Sequence, residues 1–157
     1  MKAPHHPDAA WQHLHDAATQ PYRQAGRFAW HFARGKLGRD PVFRGLIEEG
    51  LIAPAQRRVL DIGCGQGLFA SLLSSMSDMQ ARLHWPADWS ATPASVHYTG
   101  IELMPRDIAR ATRAVGHLDP APAFVCGDMC QAATPPRDLG VILDVLHHGG
   151  LQAQERG

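Results

Sequence analysis

Apolar and polar positions along this chain follow two different periods. Apolar residues recur at the three- and four-residue spacing of helices through most of the first 50 positions, and again over residues 68–76 and 105–115. Around the two later segments, short apolar runs have the length expected of buried strands. Four strands are predicted. The first begins at Val59, and the others cover Val96–Leu103, Ala123–Met129 and Leu139–Leu146. Because strands alternate with helices, the pattern favours an α/β fold with a parallel sheet.

Three helices are predicted ahead of the first strand. They cover Ala9–Ala18, Tyr22–Arg34 and Pro41–Gly50. Asp40 is the expected N-cap of the third helix, and Gly35 is expected near the end of the second. Since all three precede the strand-helix repeats, we divide the chain into an N-terminal helical segment, residues 1–56, and an α/β domain, residues 57–157.

The helical pattern after the first strand breaks down between Ser74 and His97. We interpret residues 77–97 as an insertion into the strand-helix repeat. Its tryptophans, Trp85 and Trp89, are costly to leave in water, so we expect them to pack on the body of the domain under a loop, with a contact surface for a partner as the alternative.

The first predicted strand runs into the string Val59-Leu60-Asp61-Ile62-Gly63-Cys64-Gly65-Gln66-Gly67. Glycines permit positive φ and allow a ligand to approach the backbone closely. The helix expected from Leu68 offers unpaired N–H groups to an anionic or carboxylate-bearing ligand. The string predicts a nucleotide-cofactor turn, against the alternative of an ordinary strand-to-helix turn. Its spacing is G-x-G-x-G, and Leu68 stands where a dinucleotide fingerprint needs its third glycine.

Together with the acid two residues before the first glycine, this segment resembles motif I of the class I S-adenosylmethionine (SAM)-dependent methyltransferases. The resemblance implies a Rossmann-like sheet with strand order 3-2-1-4-5-7-6, of which this chain supplies the 3-2-1-4 portion and N-terminal helices. It implies that the C-terminal part is missing, so that strand four becomes an apolar edge. A truncation is our expectation, and self-association through that edge is the alternative.

The resemblance extends to the tips of the later strands. An acid at the end of the second strand, Glu102, can accept both hydroxyl protons of a ribose. Ile101-Glu102-Leu103 resembles motif II of the family, and the Gly-Asp that ends the third predicted strand resembles motif III, which implies contacts with adenine. The implied cofactor-binding residues are Asp61, Gly63, Cys64, Gly65, Gln66, Gly67, Glu102, Leu103, Met104, Asp128, Met129 and Asp144.

Catalytic candidates follow the fourth predicted strand. The string from Asp144 to His148 resembles the D-x-L-H-H form of small-molecule methyltransferases. His147 or His148 is the candidate base because an imidazole titrates near neutral pH, and Asp144 could orient it. A histidine that only packs at the strand end is the competing interpretation.

The N-terminal helices of the family commonly pack over the cofactor and contribute to the substrate pocket. In this chain those helices carry polar residues that could bind a carboxylate of the substrate. They are Tyr22, Arg23, Arg27, His31 and Arg34. A solvated helix face is the alternative interpretation. The segment from Lys36 to Phe43 resembles a bacterial subgroup encoded near pigment and lipid assembly genes.

The composition of the chain disfavours some classes of binding partner. The 157 residues carry 15 basic and 15 acidic side chains, so no net charge draws nucleic acid or an anionic membrane. No apolar run approaches the ~20 residues of a membrane helix, and the first ten residues lack the apolar core of a signal peptide. We expect a cytoplasmic chain. Three cysteines suit a reducing compartment, and Cys126 with Cys130 lacks the further ligands of a metal site.

The leading hypothesis is a SAM-dependent methyltransferase that acts on a small-molecule hydroxyl and releases S-adenosylhomocysteine (SAH). A non-catalytic SAM-binding module is the first alternative. A nicotinamide-dependent oxidoreductase is the second, and Leu68 argues against it.

Overall fold

Four parallel strands form the sheet that carries the candidate site. The computed structural model describes residues 6–128 and 135–143. The strands are β1 (Arg58–Ile62), β2 (His97–Glu102), β3 (Ala123–Cys126) and β4 (Leu139–Val141). Their order is β3-β2-β1-β4, with β1 and β2 in the middle. The predicted α/β fold and the 3-2-1-4 strand order are confirmed.

The register aligns the carboxyl ends of the strands along one edge. Asp61 of β1 is opposite Gly100 of β2, and Glu102 at the end of β2 is opposite Cys126 of β3. Asp128 follows two residues after β3 ends. Because all the strand pairs are parallel, these three acids lie toward the same edge of the sheet, the one formed by the carboxyl ends of its strands. Ligands of open α/β folds bind at that edge.

Five α-helices and one 3₁₀-helix surround the sheet in the described part of the chain. The helices are α1 (Pro7–Thr19), the 3₁₀-helix Gln20–Ala25, α2 (Arg27–Arg39), α3 (Pro41–Glu48), α4 (Leu68–Ala81) and α5 (Pro105–Val115). The N-terminal helices share one apolar core with α4 and the sheet. Among the described residues, no helix combines the length and apolar character needed to cross a membrane.

The predicted helix Tyr22–Arg34 is wrong in both of its ends. Gly26 has φ of 109°, a backbone conformation that separates the 3₁₀-helix from α2. At the other end, Gly35 lies inside α2, which continues to Arg39. The helix persists past Gly35 because its buried stripe continues, through Ala29, Ala33 and Leu37.

The third predicted helix is confirmed at its start and shortened at its end. The side chain of Asp40 accepts a hydrogen bond from the Val42 N–H at 3.0 Å, as an N-cap does. The helix ends at Glu48, and Gly50 follows with φ of 67°.

The insertion predicted for residues 77–97 begins later, because α4 extends to Ala81. Met76 and Met79 are both buried and prolong the apolar face of that helix. In the loop that follows, Trp89 is buried and its ring meets that of Trp85 edge-on, with centroids 5.0 Å apart. The tryptophans therefore pack on the domain, as predicted.

Three predicted strands are shorter in the structure. β2 covers His97–Glu102, β3 ends at Cys126, and β4 covers Leu139–Val141. The last part of the fourth predicted strand, from Asp144 to Leu146, lies outside the described residues, as does Met129.

Candidate functional site

The glycine turn between β1 and α4 has the conformation that its sequence predicts. Gly63, Gly65 and Gly67 have φ of 70°, 57° and 78°, in the region where a side chain would be strained. The N–H groups of Gly63 and Cys64 both donate to the Ile101 carbonyl, at 2.8 and 3.0 Å. The turn is thereby fixed to the end of the neighbouring strand β2.

Glu102 links the same turn to the start of α5. Its Oε1 accepts a hydrogen bond from the Gly65 N–H at 3.0 Å, and its Oε2 accepts one from the Met104 N–H at 2.9 Å. A carboxylate has about four lone-pair positions, so two bonds leave capacity for further donors. Glu102 is half-buried, and it lies beside the glycine turn as the sequence analysis expects.

A buried acid precedes the glycine turn at the end of β1. Asp61 is only 3% exposed, and its Oδ2 accepts a hydrogen bond from the Tyr98 hydroxyl at 2.5 Å. A buried carboxylate needs such a donor, because an unpaired charge in the interior is costly. Next to it, Cys64 is also buried, and burial raises the pKa of its thiol, so the folded chain keeps that thiol protonated.

A second tyrosine joins the N-terminal helices to the turn. The Tyr22 hydroxyl donates to the Gln66 carbonyl at 2.8 Å, and the Gln66 side-chain amide donates to the Ala29 carbonyl of α2 at 2.8 Å. The side chain of Gln66 therefore bonds to α2, and its backbone carbonyl bonds to Tyr22. Sequence reasoning missed this arrangement, since no local pattern links residues 44 positions apart.

The pKa values of both tyrosines are raised in the folded chain. Burial, followed by the nearby Cys64 and Asp61, raises the pKa of Tyr22 well above the ordinary value of 10.0. Burial, with Asp61 next, raises the pKa of Tyr98 in the same way. They are the chain's only two tyrosines.

We predict that tyrosinate absorbance will appear in a single step that coincides with unfolding. A raised pKa means that the folded chain retains protons which the unfolded chain releases above about pH 10, so this contribution to stability is complete below that pH and falls above it. Ultraviolet absorbance and circular dichroism followed together through an alkaline titration test this. A gradual rise in tyrosinate near pH 10 with unchanged dichroism would contradict it, and Tyr98→Phe isolates the signal of Tyr22.

A small cavity of about 20 Å³ lies against the turn. Asp61, Gly63 and Cys64 line one side of it, and Phe32 and Lys36 of α2 line another. Lys36 also forms an ion pair with Asp40, with 3.0 Å between Nζ and Oδ2. Phe32 and Lys36 were not among the predicted site residues, although the spacing of four on one helix places them on a common face.

The edge assigned to adenine by resemblance presents apolar surface. Leu103 is 63% exposed and Met104 is 43% exposed, directly after β2. Exposed apolar side chains at the ligand-binding edge of a sheet are suited to the face of a planar ring. Asp128 is also exposed there.

Several predicted site residues cannot be placed. Met129, Asp144, His147 and His148 lie outside the described residues. Cys130, the partner considered for a metal pair with Cys126, lies outside them as well. Among the residues described, no group of three or more His, Cys, Asp or Glu side chains is arranged to hold a metal ion.

The chain shows its similarity to known proteins among solved structures. No protein-family model matches it, and no curated protein sequence matches it. Among solved structures, it is similar to the plantazolicin methyltransferase BpumL in complex with a pentazolic desmethylPZN analog and SAH, at 21% identity and a TM-score of 0.45. That match covers 84% of this chain and 48% of the other.

Two further structures of BpumL give similar values. One is the complex with SAH, and the other is the complex with a monoazolic desmethylPZN analog and SAH. Each has 20% identity and a TM-score of 0.44, and each match covers 87% of this chain and 49% of the other. The chain thus spans about half the length of these solved structures.

Proposed function

We propose that this chain binds SAM at the glycine turn and transfers its methyl group to a small-molecule acceptor, at a hydroxyl. One observation carries the proposal: a turn with three glycines at positive φ is joined, through Glu102, to the tip of the adjacent parallel strand. A ligand that spans this junction would meet bare backbone on one side and a carboxylate on the other. An adenosyl group attached to an amino acid has the matching chemistry.

The residues present fit that ligand. The backbone of Gly63 to Gly67 would hold its amino-acid end, because no Cβ at the glycines obstructs the approach. The lone pairs of Glu102 that the backbone does not use would accept the ribose hydroxyls. Leu103 and Met104 would lie against the adenine, with Asp128 for its amino group.

When bound, SAM would supply an electrophilic methyl group on a sulfonium, with SAH as the leaving group, and the acceptor hydroxyl would give up its proton. The chain's own contribution is to hold and orient the reactants, which is worth up to about 7–11 kcal/mol. The fixed turn and its buried supports, Tyr22 and Tyr98, suit this role because they leave little to reorganise. We propose His147, with Asp144, as the group that takes the proton.

Titration calorimetry with SAM, SAH and NAD separates the main possibilities. We expect saturable binding of SAM and SAH and none of NAD, because the buried Leu68 replaces the glycine that a dinucleotide turn uses for close helix packing. Formation of SAH from SAM, followed by mass spectrometry with phenolic acceptors, then tests catalysis. Tight SAM binding without turnover would favour a non-catalytic module, and preferential binding of NAD would overturn the proposal.

A further inference from the structure

A groove of about 430 Å³ lies along the second half of α2, where the chain turns into α3 at Asp40 and Pro41, beside the cavity at the glycine turn. Phe32 and Lys36 line both spaces. Among the described residues, these two side chains therefore form a wall that the groove shares with the cavity at the turn. In a methyl-transfer enzyme the acceptor must reach the cofactor from such a neighbouring space.

The helix that forms the groove wall is basic. Between Arg27 and Arg39, α2 carries four Arg or Lys residues and no acid. Two of these cations have carboxylate partners, since Arg34 pairs with Asp16 at 3.1 Å and Lys36 pairs with Asp40. The lining of the groove itself carries Lys36, Arg39 and the carboxylate of Asp40. Because Lys36 is paired with Asp40, Arg39 supplies the positive charge that complements an anionic ligand.

Arg39 is the cation best placed to meet that ligand. It lines the groove, and within residues 6–128 and 135–143 no carboxylate lies within ion-pair distance of it. Its guanidinium lies back over Gly35, where a Cβ would stand 3.2 Å from Nη2. The missing side chain at Gly35 thus leaves the space that the guanidinium occupies at the groove wall.

Phe32 adds a flat apolar surface to the same groove. Its ring is 42% exposed and stacks on that of Phe28, with centroids 6.1 Å apart and an interplanar angle of 17°. An exposed aromatic face next to a guanidinium suits a planar ligand that carries a negative charge, because stacking and charge-assisted hydrogen bonds can then act together.

We infer that the groove is the acceptor site, and that the acceptor has a planar apolar body and an anionic group, carboxylate or phosphate. The anionic group would lie at Arg39 and the planar body at Phe32, beside the shared wall. This assignment rests on the proposed function, which requires the cofactor on the other side of that wall.

The test uses a matched pair of probes, 4-hydroxybenzoate and its neutral amide, 4-hydroxybenzamide, in the presence of SAH. The two differ in charge and hardly in size. Ligand-observed NMR titration is expected to give tighter binding of the acid, by about tenfold. Arg39→Ala should remove that preference, and Arg39→Lys should retain part of it.

Two further variants control for location and for folding. Arg113→Ala removes an exposed arginine from α5, away from the groove, and should leave both probes unaffected. Gly35→Leu fills the groove with a residue that favours helix more than glycine does, so the fold should tolerate it while binding of both probes is lost.

Calorimetric titration of SAH distinguishes the two levels of failure. Arg39→Ala and Gly35→Leu should leave SAH affinity within about twofold, since neither residue lines the cavity at the turn. If SAH binds the wild-type chain but the acid and the amide bind equally, do not bind, or are unaffected by Arg39→Ala, the groove assignment is overturned alone. If SAH does not bind, the proposed function and the groove assignment fail together.

Discussion

Replacing Gly100 with alanine is expected to destabilise the folded chain by about 1–3 kcal/mol, the usual cost of overpacking a core. Gly100 lies in β2 between Asp61 of β1 and Phe124 of β3. A Cβ at this position would stand 2.7 Å from the sulfur of Cys64, closer than real Cβ atoms approach, and 3.0 Å from its Cβ, which is a tight contact. Because Cys64 belongs to the glycine turn, the strain would be transmitted to the candidate site. Urea denaturation measures the loss.

Gly127→Ala is the matched control, since a Cβ there meets nothing within 4 Å. We expect its stability to stay within about 0.5 kcal/mol of wild type. A double variant, Cys64→Ala with Gly100→Ala, should recover part of the loss because the sulfur is removed. Equal stability of Gly100→Ala and wild type would show that the packing of Cys64 against β2 is not as described.

Glu102→Ala is expected to weaken SAH binding by about 1–3 kcal/mol, which is roughly 5- to 150-fold in affinity. The substitution removes the acceptor proposed for the ribose hydroxyls. It also leaves the N–H groups of Gly65 and Met104 without the carboxylate that joins the turn to α5. Titration calorimetry gives the affinity, and thermal unfolding shows whether the fold is retained.

Two variants make this result specific. Asp78→Ala removes an exposed acid of α4 whose ion pair with Arg82 lies away from the turn, and it should leave affinity unchanged. Glu102→Gln keeps one carbonyl oxygen and should fall between wild type and alanine. If Glu102→Ala binds SAH as tightly as wild type, Glu102 has no place in the cofactor site.

The sequence was sufficient to predict the parts of the site that short segments encode. The string from Asp61 to Gly67 predicted the turn, because glycines at positive φ and a buried strand are both local features. The acid at the tip of β2 followed from the period of the apolar positions around it. The order of strands then placed both features at the same edge of the sheet.

Contacts between distant segments could not be predicted in the same way. The hydroxyl of Tyr98 meets Asp61 across 37 positions, and nothing near either residue signals the other. Phe32 and Lys36 line the cavity at the turn because α2 packs against it, as the hydrogen bond from Gln66 to the Ala29 carbonyl shows. These residues support or border the turn. Local sequence patterns therefore predicted the glycine turn itself but not the residues that surround it.

The glycines of the N-terminal segment illustrate the limit of local rules. Gly35 was expected to end a helix and lies inside one, whereas Gly26 separates two helices with φ of 109°. Either glycine can adopt helical or positive φ at little cost, so burial of the neighbouring side chains decides between them. That information belongs to the tertiary structure.

A crystal structure of the chain with SAH would locate the cofactor site. We expect the ligand to lie along the backbone of residues 63–67, with its ribose hydroxyls within hydrogen-bond distance of the Glu102 carboxylate. Ligand density at another place on the chain, or a fold in which Glu102 lies far from Gly65, would contradict it.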